Sequence, residues 1–347
     1  MPGYLMLSRR VFLACLLLLP AGLWAQAVQV SGSGGFDYQA DVIQPWGSSG
    51  ERVAVFERLN PATLSGDLYL TRSSDHGASW TPPVAIVSGS ANQRHASLVQ
   101  TGVTQFQLFF LSNGSGGFRI HRASSTDLLD WTEHGPIELG WPNAGEINPQ
   151  VIRRPDGVLL MVYHRLSGPA YIARSDDQGL SWDTHRIQIS PGSAALPRLT
   201  YRPEDGMHLL VYQTNPGNNQ LELWARRTQD PAAWSEAPGR IVTDGNNHDA
   251  WPIVMRDGRF RVWWARVIDG SFQVVSSDSQ SGAAWSPPVQ RIERPGLANI
   301  QPRVLVLDDG LFDLYWGGAS NGAGSDYDIL RDRVLDDLRF SDRFATP

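Results

Sequence analysis

Five tryptophans, Trp80, Trp131, Trp182, Trp234 and Trp285, recur at intervals of 51, 51, 52 and 51 residues. A fixed period of this length means a repeat architecture, in which each unit buries its apolar face only against its neighbours. Each tryptophan closes a similar segment. Ser73-Ser74-Asp75-His76-Gly77-Ala78-Ser79-Trp80 and Ser175-Asp176-Asp177-Gln178-Gly179-Leu180-Ser181-Trp182 both fit Ser-x-Asp-x-Gly-x-x-Trp. Ser125-Thr126-Asp127 leads to Trp131, Thr228-Gln229-Asp230 to Trp234, and Ser276-Ser277-Asp278 through Gly282 to Trp285, as variants in register. Such segments suit hairpin turns: Ser and Asp side chains bond the nearby backbone, Gly permits a left-handed residue, and Trp packs the turn onto a sheet.

These residues resemble the Asp-box, or bacterial neuraminidase repeat, of the sialidase superfamily, and the resemblance runs through nearly the whole chain after residue 27. It implies an all-β propeller in which each turn joins the third and fourth strands of a blade, on the face away from the ligand. The aspartates of the turns are then structural. Around each turn the sequence shows an apolar strand, a turn such as Pro155-Asp156-Gly157, Glu204-Asp205-Gly206, Arg256-Asp257-Gly258 or Asp308-Asp309-Gly310, and a strand rich in aromatics, for example Phe260 to Trp264. Fourth strands end near Val87, Leu139, Ile189, Val242 and Ile292, which makes five. The sixth is expected at the other end of the chain, where Val28-Gln29-Val30-Ser31-Gly32-Ser33 resembles Ala85-Ile86-Val87-Ser88-Gly89-Ser90. The expectation is one domain, residues 28–347, of six four-stranded blades closed by the N-terminal strand, leaving only short protected edges.

Composition agrees. With 34 Gly, 23 Pro and 13 Trp the chain favours turns and pleated surfaces over helices, and 41 % hydrophobic residues exclude disorder. A net charge of −6 without a basic run excludes nucleic acid as a partner. Residues 1–27 read as a signal peptide: a short basic region, an apolar run too short for an ordinary membrane span, and Ala25-Gln26-Ala27 as cleavage site. Ser8-Arg9-Arg10-Val11-Phe12-Leu13 resembles the twin-arginine signal. Export to the periplasm or beyond is expected, with no membrane insertion after cleavage. Cleavage would remove Cys15, the only cysteine, so no disulfides are expected.

In the family's geometry, ligands sit on the face formed by loops entering each first strand and leaving each second strand. Acids on that face are the candidate catalytic residues: Asp41, Glu57, Glu146 and Asp249, since a carboxylate pair serves glycoside hydrolysis. Candidate binding residues are Arg94, His95, Asn148, Arg198, His248, Trp251, Gln301 and Arg303. Arg58, Arg165 and Arg266 join them because Phe56-Glu57-Arg58, Tyr163-His164-Arg165 and Trp264-Ala265-Arg266 place an arginine at one position of the first, third and fifth blades. Three guanidinium groups converging on one axis would form a clamp for a carboxylate. Sialidases likewise use three arginines, with a tyrosine nucleophile, but their Arg-Ile-Pro stretch is replaced here by Tyr38-Gln39-Ala40-Asp41-Val42, and Asn299-Ile300-Gln301-Pro302 stands where the tyrosine would be. Sialidase activity proper is therefore not expected. The function expected is a monomeric, exported glycoside hydrolase acting on an acidic sugar or polysaccharide. A non-catalytic propeller that binds glycan or protein is one alternative. A uronate lyase using His95, His164 or Tyr163 as base is another. No cofactor or metal is expected: the histidines lack metal-ligand spacing, and the oxygen-rich 244–249 segment reads as a turn.

Overall fold

The computed structural model describes residues 27–335, apart from 33–35, 218–219, 293, 295, 308–310 and 320–325. The signal-peptide expectation and the Asp308-Asp309-Gly310 turn therefore lie outside the described residues, except for Ala27. Among the described residues there is no helix. After β1 (Val28–Gln29), the chain forms blade 1 from β2 (Phe36–Ile43), β3 (Arg52–Leu59), β4 (Gly66–Ser73) and β5 (Val84–Val87). Blade 2 is β6 (Gln93–Gly102), β7 (Gln105–Ser112), β8 (Arg119–Ser125) and β9 (Thr132–Pro136). Blade 3 is β10 (Glu146–Arg153), β11 (Leu159–Arg165), β12 (Ala170–Ser175) and β13 (Ile187–Gln188). Blade 4 is β14 (Ala195–Arg202), β15 (Met207–Thr214), β16 (Glu222–Thr228) and β17 (Gly239–Val242). Blade 5 is β18 (Asn247–Val254), β19 (Phe260–Ile268), β20 (Ser271–Ser279) and β21 (Val289–Gln290). Blade 6 has β22 (Asn299–Val306), β23 (Leu311–Ala319) and β24 (Tyr327–Leu335), and its fourth strand is β1. The six-blade expectation, with closure by the N-terminal strand, is met.

Second strands read as continuous apolar runs because both of their faces are buried. Val53 and Val55 pack toward blade 2, while Ala54 and Phe56, pointing the opposite way at period two, pack toward blade 6. Leu159, Met161 and Tyr163 likewise face blade 2, and Leu160 and Val162 face blade 4. The core is thus six apolar seams, one between each pair of neighbouring blades. The Asp-box turns brace these seams. In the third blade Ser175 Oγ donates to Asp177 Oδ1 at 2.8 Å and accepts the Gly179 N–H at 2.8 Å. Gly179 has φ +86°, and a Cβ there would meet the Phe109 ring at 2.7 Å. Trp182 then packs edge-on against Phe109 of blade 2, with centroids 5.3 Å apart.

Closure joins blade 6 to blade 1 by charge as well as by strand pairing. Val28 and Gln29 pair with Arg331 and Leu330, and the Ile329 N–H donates to Ser31 Oγ at 2.9 Å. Asp313, fully buried, holds Arg52 of blade 1 at 2.9 Å and also Arg331, which donates onward to His76 O and Gly77 O of the first Asp-box turn.

Candidate functional site

The first strands of the six blades neighbour one another in a ring, and every one of them is interrupted at the same place. Pairing with the second strand slips between Tyr38 and Asp41, Arg94 and Ser97, Ile147 and Gln150, Ala195 and Arg198, His248 and Trp251, and Ile300 and Arg303. One residue of each bulge, Gln39, His95, Asn148, Leu196, Asp249 or Gln301, has φ between 47° and 56°. Left-handed backbone is costly for side chains with a Cβ, about 1–3 kcal/mol each, and persists where the surroundings over-determine it. Side chains do part of that work. The bulge N–H of Gln39 donates to Gln301 Oε1 at 2.9 Å, that of His95 to Glu57 Oε2 at 2.7 Å, and that of Asp249 to Gln213 Oε1 at 3.0 Å.

Two residues beyond each left-handed position stand Asp41, Ser97, Gln150, Arg198, Trp251 and Arg303. Four of these staple their blade to the backbone of the next. Asp41 Oδ2 accepts the Leu98 N–H at 2.8 Å, Ser97 Oγ accepts the Val151 N–H at 3.0 Å, Gln150 bonds both N–H and C=O of Leu199, and Trp251 Nε1 donates to Val304 O at 3.3 Å. Arg198 and Arg303 make no such bond. Each is nearly excluded from solvent, 3 % and 6 % exposed, yet neither forms a salt bridge among the described residues. Arg198 donates to its neighbour's carbonyl, Pro197 O, at 2.9 Å. Arg303 reaches Gln39 Oε1 only at 3.5 Å and leaves a buried Nε without a partner. Both guanidinium groups approach the Trp251 indole, at 6.0 and 3.9 Å from its centroid.

Electrostatics around this pair is strained. Burial, and after it the charge of Arg303, pushes Arg198 down to about 9, against the pull of Asp249 and Asp41. Arginine stays charged in proteins, so burial here disfavours a charge that the side chain nonetheless carries. Burial raises Asp41 and Asp249 above the ordinary carboxylate range despite both arginines. Burial also works against the Glu57 carboxylate, but His95 and the Arg94 guanidinium outweigh it and hold the group low. Arg94 bonds Glu57 Oε1 at 2.9 Å. His95 is kept neutral, at about 4, by burial and by Arg94, Arg198 and Arg303, and its buried Nδ1 has no partner. The ring thus gathers Asp41, Asp249, His95, Glu57, Arg198, Arg303 and Trp251 into one field.

The remaining expected residues are placed otherwise. Arg58, Arg165 and Arg266 do not form a joint clamp, because each closes an ion pair in its own blade. Arg58 grips Asp37 with two nitrogens at 2.7 and 2.9 Å, Arg165 pairs with Glu146 at 3.0 Å over the Trp141 ring, and Arg266 pairs with Asp244 at 2.8 Å. The shared register is real, but it places each arginine opposite an acid at or before the start of the first strand. Glu146 is thereby tied to Arg165 and Arg119, and Arg94 is tied to Glu57. His248 Nε2 donates to Asn246 Oδ1 at 2.9 Å. Gln301 serves the Gln39 bulge, and Tyr327 packs on Tyr38 at 5.3 Å between centroids. Gln39, Ser97 and Gln213 were not among the expected residues. A signal for the ring does exist in the sequence: Ala40, Ala96, Pro149, Pro197, Ala250 and Pro302 stand between the left-handed residue and the stapling position in all six blades.

The sequence profile of the BNR repeat-like domain matches residues 48–246. No curated protein matches the chain. Among solved structures, a Dyadobacter fermentans protein of unknown function superposes with a TM-score of 0.73 at 14 % identity, over 90 % of this chain and 98 % of that one. A mutant of the NanB sialidase from Streptococcus pneumoniae gives 0.67 at 13 % identity, over 89 % and 70 %. An α-L-arabinofuranosidase from Fusarium graminearum, in complex with an iminosugar inhibitor, gives 0.67 at 15 % identity, over 89 % and 97 %. At these identities the likeness is one of fold.

Proposed function

The chain belongs to the BNR repeat-like domain family, and on that premise we propose that it is a glycan-active enzyme that holds the carboxylate of an acidic sugar between Arg198 and Arg303. One observation carries this reading: two buried arginines sit in each other's field without a salt bridge, at the two positions of the ring that staple nothing. A bound carboxylate supplies the missing charge and a bidentate partner. Neutral sugars, the ligand class suggested by the arabinofuranosidase neighbour, would leave that need unmet.

The reaction favoured is hydrolysis of the glycosidic bond. Asp249, whose protonated form burial favours, delivers a proton to the leaving oxygen. Asp41, across blade 6 from it and held by the Leu98 and Val42 N–H groups, which favour its carboxylate form against burial, takes a proton from water as the hydroxyl adds to the anomeric carbon. A second reading rests on His95, whose buried Nδ1 is neutral and unpartnered. In that case Nδ1 takes the proton from the carbon next to the carboxylate, a carbon–carbon double bond forms as the glycosidic C–O bond breaks, and Asp249 protonates the leaving oxygen. The arginines would stabilise charge building on the carboxylate.

Incubating the purified chain with acidic and neutral glycans separates the readings. Saturated new reducing ends, lost in Asp249→Asn, support hydrolysis, and an ultraviolet-absorbing unsaturated acid supports elimination. Binding without release refutes the enzyme. Residues 1–27 support export, which fractionation of the producing cells would test.

A further inference from the structure

Asn148 is the left-handed residue of blade 3, and its side chain meets His164 of the adjacent second strand, a histidine almost excluded from solvent. The donor and acceptor roles of this contact follow from geometry. His164 Nδ1 lies 3.2 Å from the Arg165 carbonyl, which can only accept, so Nδ1 carries the hydrogen. Nε2 would then hold a proton only in the imidazolium. Burial opposes that form, as does the nearby charge of Arg198, and together they keep His164 at about 4 in spite of the Arg165 hydrogen bond. At neutral pH Nε2 is therefore an acceptor, and the Asn148 amide nitrogen donates to it at 2.7 Å. The reverse amide orientation would set Oδ1 against a lone pair. Asn148 Oδ1 is left as a fixed acceptor with no donor recorded among the described residues. Arg198, on the next blade of the ring, supplies only donors.

We infer that His164 is a positioning residue that locks the Asn148 amide so that Oδ1 accepts a sugar hydroxyl, selecting acids that carry a free hydroxyl beside the carboxylate. This rests on the carboxylate reading given above and adds a requirement to it. A carboxylate alone satisfies the arginines, whereas an acceptor on the blade beside Arg198 discriminates a hydroxyl from hydrogen or from an ether-linked oxygen. One neutral hydrogen bond corresponds to about three- to tenfold in affinity.

The test uses the full chain in two measurements. Nitrogen NMR of labelled histidine reads the tautomer of His164 near pH 7, with His164→Gln assigning the signal. Calorimetry compares D-glucuronate with its 4-deoxy analogue, which lacks the hydroxyl adjacent to the carboxylate-bearing carbon. The expected results are an Nδ1–H tautomer and a three- to tenfold preference for glucuronate. That preference should vanish in His164→Phe and persist in His164→Gln, whose Oε1 can accept the same Asn148 N–H. An Nε2–H tautomer, equal binding of the two acids, or a preference that survives in His164→Phe overturns this inference alone. Failure of both acids to bind the unmodified chain, where the arginines should hold either, overturns the carboxylate reading, and the selectivity falls with it.

Discussion

Two arginine substitutions should move stability in opposite directions, because one arginine is held by a carboxylate and the other is not. Lowering Arg198 from 12.5 to about 9 amounts to on the order of 5 kcal/mol against its charged form, at about 1.4 kcal/mol per pH unit. The folded-state value is the depressed one and the group is a base. The penalty is therefore complete at every pH below about 9 and fades only as pH rises toward 12.5. Arg198→Met keeps most of the side-chain volume and removes the charge, while costing the Pro197 hydrogen bond and some relief to Asp41 and Asp249. The expected net is a gain of about 1–4 kcal/mol, the range found when buried charges give way to packed apolar groups, and it should be flat between pH 6 and 8. Arg58→Met should do the reverse. It leaves the Asp37 carboxylate, fully buried, without its bidentate partner, at a cost of about 3–5 kcal/mol. Urea unfolding of the three proteins measures both values. The same curves with a saturating sugar acid should stabilise the unmodified chain by about 2.7 kcal/mol at one hundred times Kd, and Arg198→Met hardly at all. If Arg198→Met is less stable than the parent by more than about 1 kcal/mol, or is still stabilised by the acid, the unpaired-arginine argument is wrong.

Trp182→Ala should cost about 3–5 kcal/mol by opening the seam against Phe109, whereas Leu180→Ala in the same turn, 63 % exposed, should cost little; thermal melts rank the two. Asp313→Ala should cost about 3–5 kcal/mol, since it strands Arg52 and Arg331 at the closing seam, and its hydrogen-exchange protection should fall first in β1 and β24. Acid should unfold the chain early. His95 and His164 are neutral in the fold down to about 4 but gain protons near 6.5 when unfolded, so stability is lost as pH falls between those values, by up to roughly 3 kcal/mol for each. A urea midpoint that stays constant from pH 6.5 to 4.5 would contradict this.

The blade count was legible because the Asp-box is local: hydrogen bonds within seven residues and one tryptophan fix each turn, so residue types at fixed offsets carry the information. Closure was legible for a related reason, since β1 repeats the sequence of β5. The arginine arrangement was read wrongly from an equally good regularity. Arg58, Arg165 and Arg266 do share a register, but the end of a second strand lies opposite a first strand's opening residues, where Asp37 and Glu146 stand and Asp244 lies close by. Cross-strand pairing satisfied each arginine at home, and nothing in the spacing along one strand announces what its partner strand offers. The inner ring was partly named, through Arg198, Arg303, Asp41, Asp249, Glu57, His95 and Trp251, but its geometry depends on bulges. A bulge shifts every later side chain to the other face, so alternation counted straight through the first strands misassigns which residues line the axis.

The ring also explains how a repeat fold acquires a site without new elements. All six first strands bear the same strained turn of backbone, and the position two residues on has one default use, which is to bond the next blade. Asp41, Ser97, Gln150 and Trp251 keep that use with four different chemistries, so the position tolerates almost any group able to donate or accept. Arg198 and Arg303 depart from it, and the two seams that they leave unstapled retain their apolar packing in Val211 with Trp264 and in Phe56 with Tyr315. Stability is thus distributed over six seams, while, on the proposed function, two of six equivalent positions are released to face a ligand. It follows that Arg198→Gln and Arg303→Gln, by analogy with Gln150, should convert ligand positions back into staples. A fold gaining stability while it loses its anion site is what such a division of labour requires.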